Sequence, residues 1–369
     1  MSTFGNNLNA HDLKEFLKHI FKRNKSLDFN GKQTTPVIIW GTHGLGKTEI
    51  VKEFTKENNW KFAYCAPAQF EEMGDLHGMP MIKIDEKDKQ SKTVYSPPQW
   101  VPTEEGPGIL LIDDVNRADD RILRGLMQLF QDFELQSWKL PKNWQIVATA
   151  NPDDGNYSVT PMDDALLTRL LHVTLKFDVK IWAQWAVSEG VDSRAIDFVL
   201  TYPEVITGKR TTPRSLVHFF NQISDIEDLK SNLNLVISLA KSALDDVTVS
   251  TFISFVNQDL VYLLSPSEIL DSIDFNDIKF KIKTLAFDKK GMHRVDRIST
   301  ICSRLYFYLK SENYKNEIVH KENLVQFLLL DEIPNDLKMS LYIDLNSCES
   351  QIKNLMIDKR LSKLLISIM

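Results

Sequence analysis

Short, uninterrupted apolar runs punctuate the first half of the chain: Val37-Ile38-Ile39-Trp40, Phe62-Ala63-Tyr64-Cys65, Ile109-Leu110-Leu111-Ile112, Ile146-Val147-Ala148 and Leu171-His172-Val173-Thr174-Leu175. Most lack the polar alternation of a half-solvated strand, and polar or helical stretches separate them, which predicts a parallel sheet buried on both faces. Between the third and fourth runs, Ile122, Leu123, Leu126, Met127 and Phe130 recur at helical spacing. Asp119 and Asp120 stand just ahead of them, where negative charge favours a helix N-terminus. After residue 178 the pattern turns helical, over 181–187, 215–223 and 235–244, and then into a tail dominated by Leu, Ile, Phe and Lys. Turn chemistry thins out as well, since beyond Gly208 only Gly291 remains, and beyond Pro213 only Pro266 and Pro334. The pattern predicts an N-terminal helical segment (1–35), an α/β core (36–178), a helical second part (179–262) and a helical C-terminal extension (263–369).

Composition narrows this picture only a little. With 369 residues, 43% hydrophobic and 25% charged, the chain is long enough for two globular domains. No window reaches the roughly 18 apolar residues of a membrane helix, and the N-terminus has no basic region followed by an apolar run. A cytoplasmic protein without membrane partners is expected. Cys65, Cys302 and Cys348 are widely spaced, with no CxxC pair, so reduced buried thiols are expected rather than zinc. The formal net charge of −6, and the lack of a dense Lys/Arg stripe interleaved with aromatics, argue against nucleic acid as a partner.

The candidate chemistry begins directly after the first apolar run. Gly41-Thr42-His43-Gly44-Leu45-Gly46-Lys47-Thr48 satisfies G-x-x-x-x-G-K-[ST], and it follows a strand and precedes the helix-forming Glu49-Ile50-Val51. The glycines let successive backbone N–H groups turn inward onto phosphate oxygens, and the helix N-terminus adds partial positive charge. Lys47 would reach the β- and γ-phosphates of a nucleoside triphosphate, and Thr48 would offer its hydroxyl to Mg2+; the loop alone could belong to a kinase, a GTPase or a motor. The run 109–112 delivers Asp113 and Asp114 to its C-terminal end, where ligands of open α/β sheets gather. Asp113 is a candidate Mg2+ ligand, and Asp114 a candidate activator of the attacking water. Asn151 ends the fourth run, where its amide can donate to a γ-phosphate and position a water. Arg169, just before the fifth run, and Arg214, behind Pro213, would each pass alone for surface charges.

Their order matters more than any one of them. "DDVNRAD", "ATANPDD", "DDALLTRL" and "TTPRSL" together resemble the AAA+ ATPases, and within them the MoxR-like branch, over roughly residues 36 to 225. The resemblance implies a five-stranded α/β core with a helical lid, with Lys47 and Thr48 as Walker A, and Asp113 and Asp114 as Walker B. It further implies Asn151 as sensor 1, Arg169 as the arginine finger, Arg214 as sensor 2, and a homo-oligomer, a hexameric ring with nucleotide between subunits. The family places glutamate where this chain has Asp114; the shorter reach implies slow turnover or a nucleotide-gated scaffold, because misplacement on the order of 1 Å can cost about a hundredfold in rate. Asn116 and Arg117 also match the pattern, with no role assigned to Arg117.

Two insertions complete the reading. Met81-Ile82-Lys83-Ile84 can pair with Thr93-Val94-Tyr95 across 85–92, and Phe133-Glu134-Leu135-Gln136 with Trp138-Lys139-Leu140 about Ser137. These resemble the helix-2 insert and pre-sensor-1 hairpin of the MoxR-like clade, which face a ring's channel; alternatively Trp100, Trp138 and Trp144 cover the sheet edge. The resulting expectation is a chaperone-like remodelling ATPase working with a von Willebrand A-domain adaptor, and the alternative is a nucleic-acid motor or loader.

Overall fold

The computed structural model describes residues 5–84, 90–152, 159–207, 210–257, 263–288, 291–310, 314, 318–347, 352 and 355–368. The tip 85–89 of the first expected hairpin and Cys348 lie outside them. The chain divides into two compact units, 1–178 and 179–369.

The first unit is built on a parallel sheet. Its strands are β1 (Asn6–Leu8), β2 (Val37–Trp40), β3 (Lys61–Cys65), β6 (Gly108–Ile112), β9 (Trp144–Ala150) and β10 (Leu171–Leu175), in the spatial order β1-β10-β2-β9-β6-β3. The five apolar runs are all strands of this sheet, and the sheet has six strands rather than five. The sixth is β1, in a stretch expected to be helical; it pairs Asn6 with Val173 and Leu8 with Leu175. Three residues held by backbone bonds at a sheet edge need no apolar pattern, so Asn6-Asn7-Leu8 carries none.

The strands alternate between two buried faces, which is why no polar alternation is visible in them. Val37, Ile39, Ile109, Leu111, Val147, Val173 and Leu175 pack beneath helices α1 (Ala10–Phe29) and α2 (Lys47–Glu57), with Leu13, Leu17, Phe21, Val51 and Phe54. Ile38, Trp40, Leu110, Ile112, Ile146 and Ala148 pack on the other face against α4 (Asp120–Asp132), through Ile122, Leu126 and Phe130. Asp119 caps α4 by accepting from the N–H groups of Arg121 and Ile122 at 2.9 and 3.1 Å. Trp144 lies over Gly108 of the neighbouring strand so closely that a Cβ there would stand 2.9 Å from the indole. The glycine is what lets the ring lie on the sheet.

Short α3 (Met73–His77) leads into the first insertion and α4 into the second, and both insertions are antiparallel hairpins. β4 (Met79–Ile84) and β5 (Ser91–Ser96) pair Met81 with Val94 and Ile82 with Thr93, and Met79, Met81, Ile82 and Ile84 are exposed. β7 (Glu134–Leu135) and β8 (Trp138–Lys139) pair Leu135 with Trp138, both buried. Ser137 joins the hairpins, because its Oγ accepts from the Tyr95 N–H and donates to the Tyr95 carbonyl at 3.2 Å. Trp100 meets Trp138 edge to face at 5.6 Å. Trp144 lies in an interior strand rather than at the sheet edge.

The second unit is helical throughout its described residues. It begins with α6 (Val179–Ser188), α7 (Ser193–Thr201) and α8 (Pro213–Gln222). The helix Val295–Lys310 of the C-terminal part packs on α6 and α7, so residues on both sides of position 262 share one body. Between α7 and that helix, Arg304 Nε stands 3.0 Å from Asp197 Oδ1.

Candidate nucleotide site

Four neighbouring strands bring their C-terminal ends together, and each hands over one functional segment. β2 leads into the glycine-rich loop, whose first residue is tied to β9 by the Gly41 N–H donating to the Ala150 carbonyl at 3.2 Å. Gly44 and Gly46 take positive φ values of 73° and 89°, and Gly46 is the left-handed residue from which α2 starts. A side chain is disfavoured there, and a Cβ on Gly46 would point into open space at the mouth of the loop. The N-terminus of α2, with its orphan N–H groups, faces the same place.

Lys47 is buried, at 6% exposure. Its ammonium donates to the carbonyls of Gly41 and Thr42 at 2.6 and 3.2 Å, and to Asn151 Oδ1 at 3.0 Å. The other end of the Asn151 amide donates to Asp114 Oδ1 at 2.9 Å. One side chain from β9 therefore links the loop's cation to the candidate activating carboxylate from β6. Asn151 is itself fixed by Asn116, which donates to its carbonyl at 2.8 Å and accepts from its N–H at 3.1 Å. Arg117 Nε lies 3.6 Å from Asp114 Oδ2.

Asp113 is held from three sides. Its Oδ1 accepts from Thr48 Oγ1 at 2.9 Å and from Thr149 Oγ1 at 2.6 Å, and its Oδ2 accepts from the Tyr64 hydroxyl at 3.0 Å. Burial, and then the Asp113 carboxylate beside it, push the Tyr64 phenol up to about 12. The hydroxyl of Thr48 and the carboxylate of Asp113 are hard oxygen donors side by side, which is the donor set a magnesium ion takes from a protein that leaves the remaining positions to water and phosphate. The residues present fit that ion.

Asp114 has a backbone feature that the sequence did not announce. It sits at φ 48° and ψ 46°, in the left-handed region, between β6 and the 3-10 turn Val115–Arg117. Aspartate and asparagine enter that region far more readily than residues with longer side chains. The aspartate standing where the resembled family has glutamate thus has a local conformational reason.

The remaining candidates divide into those near this cluster and those away from it. Thr42, Leu45 and Gly46 are half-buried in the loop, and His43 is exposed at its rim. Glu49 turns outward to Lys52 at 3.0 Å, so it can offer the site only its backbone. Arg169 follows α5 (Asp164–Leu167); its Nε donates to Gln131 Oε1 at 3.0 Å and its Nη1 to the Ala165 carbonyl. In the register of the sheet, Leu171 lies opposite Val37 and Thr174 opposite Trp40. Arg169 therefore stands at the N-terminal edge of the strands, a strand's length of roughly 13 Å from the P-loop edge. His172 spans part of that gap, accepting from Trp40 Nε1 at 3.0 Å and donating to the Leu167 carbonyl at 2.8 Å. Arg214 is exposed at the second position of α8, in the other unit.

Sequence reasoning singled out neither Thr149 nor Tyr64, and assigned Asn116 no task. Thr149 sits two residues before Asn151, a spacing that places both on the same strand face. Among the described residues no group of three or more His, Cys, Asp or Glu side chains forms a further metal site, and no helix is long and apolar enough to cross a membrane.

Residues 36–170 match the model of the AAA domain, dynein-related subfamily. Among solved structures, the chain is similar to the Holliday junction branch migration motor RuvB of Thermotoga maritima, at 16% identity over 82% of this chain and 95% of that one, with a TM-score of 0.39. It is also similar to a putative ATPase from Cytophaga hutchinsonii, at 12% identity over 94% and 88%, with a TM-score of 0.31. Likenesses this distant carry no functional argument. No curated protein matches the chain. Parallel strands that converge on a glycine-rich loop, paired aspartates and an asparagine, within a segment that matches the AAA model, make residues 36–170 an AAA+ ATPase domain on the P-loop fold.

Proposed function

We propose that this chain is the subunit of a homo-oligomeric, hexameric ring of MoxR-like type, which binds and hydrolyses ATP and remodels protein partners together with a von Willebrand A-domain adaptor. The observation that carries the catalytic half is the Asn151 amide, with its oxygen on Lys47 and its nitrogen on Asp114. A side chain held in that way stands between phosphate binding and water activation. Lys47 exchanges its carbonyl partners for β- and γ-phosphate oxygens. Thr48 and Asp113 would hold magnesium, whose chemistry there would be to neutralise phosphate charge. Water, oriented by Asn151, attacks the γ-phosphorus, the bond to the β-γ bridging oxygen breaks, and Asp114 takes the water's proton.

Arg169 cannot serve its own P-loop from the far edge of the sheet, which supports a trans role on a neighbour's γ-phosphate. Arg214 is assigned to the same subunit's nucleotide. The MoxR-like assignment and the adaptor rest on the sequence resemblance, and the two linked hairpins support a partner-gripping surface.

Mixing two inactive variants tests the ring. Lys47→Ala abolishes nucleotide binding, and Arg169→Ala keeps it while turnover falls by about 10³-fold or more. A mixture recovers hydrolysis, because the Lys47→Ala subunit lends its intact Arg169 to a neighbour. No recovery, with mass photometry showing mixed rings, would show that Arg169 is structural. A second reading has one observation in its favour: Asp114 is engaged on both oxygens, by Asn151 and Arg117, and is one methylene shorter than glutamate. Full nucleotide occupancy without turnover, with and without partner, would select that nucleotide-gated scaffold.

A further inference from the structure

We propose that Tyr64 is a positioning residue for the magnesium-binding carboxylate of Asp113; the proposal rests on the nucleotide reading above. Tyr64 belongs to β3, the outermost strand on its side of the sheet, and its ring lines an open groove of about 650 Å³ together with Gln69, Phe70 and Trp100. The residue is 44% exposed. A tyrosine that only covered this edge could leave its hydroxyl in water. Instead the hydroxyl donates to Asp113 Oδ2 at 3.0 Å.

The geometry around Asp113 gives that bond its consequence. The two threonine hydroxyls both take Oδ1 and Tyr64 takes Oδ2, so its hydroxyl adds the restraint on the second oxygen against a turn about the Cβ–Cγ bond, which would move both. With Tyr64, the plane of the carboxylate is set from both ends. The next residue reinforces the hold, since the Cys65 carbonyl accepts from the Asp113 N–H at 2.8 Å. Consecutive residues of one edge strand thus fix the backbone and the side chain of the same aspartate. Magnesium demands near-ideal octahedral geometry, so a ligand free to rotate binds it less well. Partners that orient metal ligands from behind typically contribute 10- to 100-fold in metal affinity.

The test uses the full chain and a fluorescent ATP analogue. Tyr64→Phe retains the ring and removes only the hydroxyl. In EDTA, the variant and the wild type bind the analogue equally. In a magnesium titration of the bound analogue, the variant needs about tenfold more Mg2+ for half-saturation. The KM for ATP at saturating Mg2+ is unchanged, which separates this role from damage to the phosphate cradle. An unchanged Mg2+ midpoint in a variant that melts like wild type overturns the proposal. Weakening of equal size with and without Mg2+ also overturns it, and assigns the hydroxyl to packing. If wild type binds no nucleotide, or binds it without regard to Mg2+, the nucleotide reading itself fails and takes the proposal with it.

Discussion

In the helical unit, Arg304 and Asp197 face each other with side chains 7% and 1% exposed, and Arg304 also donates to the carbonyls of Leu263 and Leu264 at 3.4 and 3.3 Å. Nearby in the same unit, His320 meets Asp271 at 2.7 Å, and Asn323 donates to the carbonyls of Leu270 and Ser272 at 2.7 and 2.8 Å. Each of these groups ties one helix or loop to another. In the α/β unit, Lys47 is buried to the same degree, yet its partners are two carbonyls of the glycine-rich loop and an amide. The phosphate oxygens of a nucleotide can replace those carbonyls; nothing of the kind can enter between Arg304 and Asp197. Burial of charge alone therefore does not mark a working site. What marks it is convergence of several elements on exchangeable partners at one edge of the sheet.

Substitutions can break that contrast from either side. The largest effect falls on the exchangeable cluster: Asp114→Asn lowers ATP turnover by about 10²- to 10⁴-fold, while calorimetric ATP affinity and thermal unfolding stay as in wild type. Arg304→Ala reverses the pattern, removing roughly 3 kcal/mol of stability with nucleotide affinity of the remaining folded protein unchanged. The cost lies at the low end for a broken buried pair because Asp197 can take up a proton. A smaller change sits between the two classes. Asn116→Ala strips two hydrogen bonds from Asn151, costing about 2 kcal/mol in chemical denaturation, and it lowers turnover more than it lowers ATP affinity.

The most gradual effect is one of pH. Burial, opposed by the Arg304 guanidinium, raises Asp197 from 3.8 to about 7. A carboxyl whose pKa is raised by folding favours the native state in its protonated form. Its contribution is complete below the unfolded value, and it is lost as pH rises through the folded one. From about pH 4 to 7 this group lowers stability by at most about 1.4 kcal/mol per pH unit, and Asp197→Asn flattens the fall in melting temperature over that interval.

Legibility followed the same divide. Strands buried on both faces announce themselves as apolar runs, so β2, β6 and β9 could be read directly; the partly exposed β3 and β10 were legible because their runs, too, are short and largely apolar. Lys47, Thr48, Asp113 and Asn151, which the structure brings together, were marked in the sequence by the glycine-rich octapeptide and by the C-terminal ends of two apolar runs. β1 could not be read, because backbone pairing with β10 asks nothing of Asn6-Asn7. Nor could Tyr64, whose hydroxyl matters only through a strand neighbour 49 residues away, or the bend at Asp114, which is a property of φ and ψ. Likewise, the joining of 179–262 to 263–369 through Val295–Lys310 depends on which helix faces meet, and periodicity leaves that open.

One small contact has a mechanical meaning. Ser137 holds both the N–H and the carbonyl of Tyr95, so the long ribbon β4–β5 and the short ribbon β7–β8 are joined there, as they are by Trp138 Nε1 donating to the His77 carbonyl at 3.0 Å just ahead of β4. The short ribbon begins two residues after α4 ends, and α4 begins six residues after Asp114. α4 is 13 residues long, a stiff rod of roughly 20 Å. A pull on the long ribbon at the exposed Ile84 and Ser91 is therefore loaded onto that rod, whose far end is rooted beside the carboxylate, and Ser137→Ala would remove one of the ties that carry it.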